Sequence, residues 1–148
     1  MITDQEYKKL KEASLFRTQE DVNFFETKVW EFVQNKDPQN IPILLNLFDD
    51  NTRSTNVMYT LVHALESYED EVYVKEILKH IKKIQENAPF WLLGLFCAIL
   101  NNKSTFMILK KKIKTSNKED LLKLFDLIEK ESEHHRGVIQ ELRQELES

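Results

Sequence analysis

Glycine, proline and cysteine are almost missing from this sequence: two glycines, three prolines and one cysteine occur in 148 residues. A chain of strands and tight turns needs more of the first two, because turns draw on glycine's positive φ and proline's fixed one. Leu, Lys, Glu and Ile dominate instead, and most of these favour helix. A single cysteine, Cys97, leaves no internal disulfide to form, which fits a reducing compartment. The stretch from Met1 to Leu10 is polar and charged, so it does not read as a secretory signal. The longest apolar run, Ala88 to Leu100, is short for a membrane span and is broken by Pro89 and Gly94. The expectation is one cytoplasmic domain, residues 1–148, with no membrane partner.

What is present is charge, unevenly placed. The chain carries a net −4, but residues 1–71 hold 14 acids against 7 bases, a net of −7. Residues 72–128 hold 5 acids against 11 bases, and residues 129–148 hold 6 against 3. An acidic first half can steer a basic partner. Solvated helix faces are the plain alternative. The lysines Lys79, Lys82, Lys83, Lys110, Lys111, Lys112 and Lys114 read as such faces, because nucleic-acid binders combine basic patches with a basic overall balance. No nucleic-acid partner is expected.

Helix punctuation is frequent. Thr3-Asp4-Gln5-Glu6 and Ser116-Asn117-Lys118-Glu119 fit capping boxes. Glu20 and Asp21 sit in a first turn, where the helix dipole favours acids. Asn40 before Ile41-Pro42, and Asn87 before Ala88-Pro89, are candidate caps. Val22, Phe25, Val29, Phe32 and Val33 form one stripe at helical spacing. Helices are predicted near 3–14, 19–35, 41–48, 54–68, 71–85, 88–100, 103–114 and 117–133, with a further one near 136–147. The short connections predict stacked antiparallel helix hairpins in an all-α fold of about eight or nine helices.

One stretch is more specific. Ile41 to Asp50, followed by Val57, Leu61, Ala64 and Leu65, resembles a HEAT repeat. It has a first helix that opens with proline and carries paired leucines, an Asp-rich turn, and a second helix with a small residue on its packing face. An aspartate in that turn can cap the second helix. The pairs 71–100 and 103–133 keep a similar period, which implies a HEAT-like α-solenoid. An irregular helical bundle is the alternative.

Helix 54–68 carries the candidate site. Val57, Met58, Leu61, Val62 and Leu65 form its buried stripe, while Tyr59, His63, Glu66 and Asp70 share another face at i, i+4, i+7 and i+11. Asp49 and Asp50 flank that row at one end, and Glu69 and Glu71 at the other. The functional reading is an acidic, aromatic-containing patch for a basic protein partner. A solvated face with a local Tyr–His contact is the alternative.

Chemistry-bearing motifs are sparse. His63 and Glu66 occur once and in the reverse order of a di-iron Glu-x-x-His pair. No paired-cysteine or His-Glu-x-x-His motif is present, and the adjacent His134 and His135 are not expected to share a helix face. Phosphate-binding glycine loops and a nucleophile elbow are missing. Cys97 has no basic neighbour in sequence and reads as a small hydrophobe. The all-round apolar segment from Phe90 to Leu100 reads as a central helix, with Phe90 or Trp91 partly exposed as the sharper alternative. The chain is therefore expected to bind rather than catalyse, with no metal, cofactor or small-molecule substrate.

Four stretches together carry a family resemblance: Trp30-Glu31, Ile41 to Asp50, Val57 to Glu66, and Ala88-Pro89-Phe90-Trp91 through Asn101. Over roughly residues 25–110 the chain resembles small all-helical bacterial immunity proteins of polymorphic and contact-dependent growth inhibition toxin systems. The resemblance implies a cytoplasmic antitoxin that binds its cognate toxin domain and occludes the active site. Many such toxins are nucleases with basic clefts. Asp49, Asp50, His63 and Glu66 sit at the matching positions, with contact and structural roles both open. A helical adaptor or scaffold without a toxin partner is the alternative class, and a HEAT-like nucleic-acid repair enzyme is a third.

Overall fold

The computed structural model describes residues 1–148 and contains no strand. Ten α-helices form: α1 (Asp4–Ala13), α2 (Gln19–Val33), α3 (Ile41–Leu45), α4 (Thr55–Glu66), α5 (Asp70–Lys79), α6 (Ile81–Asn87), α7 (Pro89–Asn101), α8 (Lys103–Lys112), α9 (Lys118–Glu131) and α10 (Arg136–Glu147). The fold is all-α, and its helix count slightly exceeds the eight or nine expected. The extra helix comes from the predicted 71–85 segment, which breaks at His80 (φ −118°, ψ 18°). There the Nδ1–H of His80 donates to the Glu76 carbonyl at 2.8 Å, while the backbone N–H turns to Ile77. A side chain has replaced the backbone donor of the next turn, and the helix ends. The predicted 41–48 helix starts at Ile41 as expected but ends at Leu45, where the N–H groups of Asn46 and Leu47 turn to Ile43 and Leu44, three residues back; a 3-10 turn, Pro38–Asn40, precedes it.

Several caps differ from expectation. Thr3 and Glu6 form the capping box on α1, with bonds of 3.2 and 3.0 Å. Ser54, not an aspartate of the preceding turn, caps α4 by accepting from Val57 N–H. Asn117 caps α9, while Ser116 donates across to the Leu78 carbonyl at 2.8 Å. Asn87 caps nothing, since Ala88 occupies the N-cap position of α7. Asn40 is buried and serves as a cross-brace. Its Oδ1 accepts from Ile2 N–H at 3.0 Å, and its Nδ2 donates to the Phe32 carbonyl at 2.9 Å. With so few glycines, α1 and α2 are followed by Phe16 and Lys36 in the left-handed region, each at φ 54°. Tertiary contact holds both there. Phe16 packs edge-on against Phe25 at 4.9 Å, and Lys36 donates to Ser67 at 2.8 Å.

Bonds between successive helices give their directions. Thr60 of α4 donates to Glu26 of α2, and beyond the ends of both helices Lys36 reaches Ser67. Helices α2 and α4 therefore run the same way. Near the starts of α4 and α7, Tyr59 meets Trp91. Phe96 of α7 meets Phe125 of α9, and further along Asn101 bonds His135. Thus α2, α4, α7 and α9 form one parallel layer. The second layer is built likewise. Ile2 and Lys11 reach Asn40 and Asn46, Asp70 reaches Ser104, and Lys110 and Lys114 reach Glu141 and Ser148. It contains α1, α3, α5, α8 and α10.

Four of these bonds, Glu26–Thr60, Asp70–Ser104, Asn101–His135 and Lys114–Ser148, span the same 34 residues. The chain thus returns to the equivalent place at a fixed interval, which is how a solenoid-like stack is built. Helix α7 lies centrally between α6, α8 and α9, and its apolar perimeter is mostly buried. No helix is long and apolar enough to cross a membrane. The hairpin of α9 and α10 closes the stack. Leu121, Leu124, Phe125, Ile128, Ile139 and Leu142 are fully buried, and Arg143 bonds Glu129 at 2.6 Å and Asp126 at 2.7 Å.

His134 and His135 face different ways, as adjacent residues should: His134 is exposed and His135 is buried. A 3-10 turn, Glu133–His135, brings their rings into edge contact at 5.1 Å. His135 Nε2–H donates to Asn101 at 2.7 Å, and its Nδ1 accepts from Ser132 at 2.6 Å. Burial and then His134 hold this imidazole below its ordinary value of 6.5. The unfolded chain then binds the proton first. His135's contribution to stability is complete above pH 6.5 and is lost as pH falls toward the folded-state value. Urea unfolding should show a falling midpoint between about pH 7 and about pH 5.5, and His135→Gln should flatten that slope. At constant pH, Asn40→Ala should lower the unfolding free energy by about 2 kcal/mol, since it leaves two backbone groups without their partner.

Candidate partner-binding face

The exposed side of the first layer is where the sequence-marked residues fall, though not all together. Tyr59 on α4 is half exposed, its ring edge-on to Trp91 at 5.2 Å. His63 and Glu66 follow on the same face, with Nδ1 3.3 Å from Oε1. Asp70, in the first turn of α5, accepts from Ser104 at 2.8 Å. Glu69 is exposed at the N-cap position of α5 and makes no capping bond. Glu71 turns toward the second layer and pairs with Lys112 of α8 at 3.3 Å.

Asp49 and Asp50 have identifiable structural bonds. The Asp50 carboxylate accepts from the backbone N–H of Phe90 at 3.1 Å and of Trp91 at 3.3 Å. It caps α7 from a distant loop, satisfying donors that no local side chain reaches. Asp49 accepts from Asn51 N–H through its side chain and from the Trp91 indole N–H through its carbonyl. Phe48 stacks on the same indole at 5.4 Å. The turn of the first hairpin thereby fixes the start of α7 and the orientation of Phe90.

Phe90 is 65% exposed, the most exposed aromatic of the chain. With Asp50, Thr55, Tyr59, Trp91 and Gly94 it lines an open depression of about 340 Å³. Trp30, 43% exposed, stands one turn from Glu26 on the edge of α2 that faces α4. The three large exposed aromatics, Trp30, Tyr59 and Phe90, thus belong to three successive parallel helices. Sequence reasoning placed Tyr59 in the site and weighed Phe90, but not Trp30 as a contact. The signal was available: Trp30 falls outside the Phe25, Val29, Val33 stripe. The lysines gather elsewhere. Lys75, Lys79 and Lys112 border a depression of about 460 Å³ beside α5 and α8. Cys97 is half buried, and that burial raises its thiol above the ordinary value, the direction opposite to that of an activated nucleophile.

A model of the Immunity protein 30 family matches residues 12–109, from the end of α1 through most of α8. The chain belongs to that family. The match includes Trp30, Tyr59, Phe90 and every residue of the acidic row, while α9 and α10 lie beyond it. No curated protein and no solved structure matches the chain. Family membership supports the role of an immunity protein, whose partner is a toxin protein.

Gly94 lies on the exposed side of α7, and a Cβ placed there meets nothing within 4 Å. A glycine inside a helix costs about 1 kcal/mol relative to alanine. Gly94→Ala should therefore raise the unfolding free energy by up to about 1 kcal/mol in urea titration while partly filling the depression beside Tyr59.

Proposed function

We propose that this immunity protein neutralises a cognate toxin domain by docking the exposed face of α2, α4 and α7 over the toxin's active site. The observation that carries the reading is the exposure of Trp30, Tyr59 and Phe90 on three successive parallel helices, with Glu66, Glu69 and Asp70 at and beyond the C-terminal end of α4. Interface hot spots favour large aromatic side chains at the centre with charge around them. The aromatics supply buried apolar area, and the carboxylates give direction and speed to the encounter. His63, hydrogen-bonded to Glu66, belongs to the same contact surface. Carboxylates presented in a row suit a basic, phosphate-binding cleft, so a nuclease is the toxin class this face fits best. Inhibition is steric and electrostatic, acts in the cytoplasm, and needs no catalysis by this chain.

Co-expression with the toxin encoded beside this gene tests the reading through growth rescue and a co-purifying complex. Rescue with a 1:1 complex is expected. Toxicity that persists at full expression of the folded protein would sink the proposal, and a stable complex with a host protein instead would favour the adaptor class. Phe90→Ala, which removes an exposed ring, should leave helicity unchanged and weaken toxin binding roughly 30-fold.

A further inference from the structure

At the C-terminal ends of α4 and α7 lies a small cavity of about 150 Å³, between the acidic row and the start of α8. Glu66, Asp70 and Tyr73 line one side, and Ala98, Ile99 and Asn102 line the other. Tyr73 is only 3% exposed, and its hydroxyl is the sole buried side-chain polar atom that lacks a hydrogen-bond partner. An unpartnered buried hydroxyl costs on the order of 1–3 kcal/mol. Burial foremost, then the charges of Glu66 and Asp70, push this phenol well above its ordinary range, so it stays neutral between two carboxylates.

The free acceptors converge on this cavity. Glu66 uses one oxygen on His63, and Asp70 uses one on Ser104. The second oxygen of each is open, and neither carboxylate pairs with a lysine or arginine of this chain. Thr105 and Asn102 are already engaged, in bonds to the Ile99 carbonyl and from the Thr105 N–H. Two carboxylates that each keep one oxygen free, and one unpartnered phenol, thus line a mainly polar space whose far side includes the aliphatic carbon of Ala98 and Ile99. That arrangement suits a flat, multiply donating cation, whose faces pack on aliphatic carbon while its edges donate.

We propose that this cavity is a receptor for one arginine side chain of the toxin, its guanidinium donating to Glu66, Asp70 and the Tyr73 hydroxyl. The inference rests on the docking face proposed above and places an anchor at its acidic end. The guanidinium supplies the partner that Tyr73 lacks in the free protein.

The test uses the whole free protein and N-acetylarginine methylamide as probe, with its uncharged citrulline analogue as control. Saturable amide shifts confined to Tyr73, Asn102 and Thr105 are expected with arginine and not with citrulline. Tyr73→Phe removes one oxygen atom that has no partner, so it should fold with equal or higher Tm. It should nonetheless weaken the probe about tenfold, as should Asp70→Asn. Shifts that fail to saturate, shifts matched by citrulline, or unchanged affinity in Tyr73→Phe would each overturn the proposal. Toxin affinity should fall in parallel in Tyr73→Phe. A wild-type protein that binds no toxin would defeat the proposed function, while the probe titration still judges the cavity on its own.

Discussion

The carboxylate of Asp50 on the first turn of α7 is the interaction from which much else follows. Helix α7 is apolar on nearly every side and has no local cap, because Ala88 and Pro89 open it. Its first N–H groups need an acceptor, and the acceptor comes from a loop 40 residues earlier in the chain. That bond ties the first hairpin to the central helix. Phe48 and the Asp49 carbonyl then clamp the Trp91 ring, and Trp91 in turn supports Tyr59. One cap therefore sets both the docking of α7 in the core and the aromatic surface beside it.

Much of the architecture was legible because it depends on local chemistry. The Thr3 box, the apolar stripe of α4 and the all-round hydrophobicity of Phe90 to Leu100 each mark a helix without reference to the rest of the chain. What the sequence misplaced were polar groups whose partners are far away. Asn40 looks like a cap and acts as a brace to Ile2 and Phe32. Asp50 looks like a cap for the next helix, α4, and serves α7 instead. His80 interrupts a helix through its own imidazole. In each case periodicity holds and a tertiary bond redirects a side chain that local rules assign to its neighbours.

The candidate face shows the same division. Spacing alone put Tyr59, His63 and Glu66 on one side of α4. It could not show that Glu71 turns to Lys112, that Trp30 stands along the edge beside α4, or that Tyr73 is buried without a partner. Those facts depend on which helix lies next to which. The fixed 34-residue return of the chain decides that, and it is written in no single segment.

The two parallel layers carry a consequence for the electric field of the molecule. In a bundle of alternating helices the peptide dipoles oppose one another. Here α2, α4, α7 and α9 point the same way, so their partial positive ends collect along one edge and their partial negative ends along the other. Glu20, Asp21, Asp50, Glu119 and Asp120 sit at the positive edge and offset it. At the opposite edge, Glu66 adds its charge to the carbonyl ends of α4 and α7 instead of cancelling them. The second layer runs the other way, with α5 and α8 starting at this edge, so the polarity is local: a cationic partner meets it where it approaches over α4 and α7.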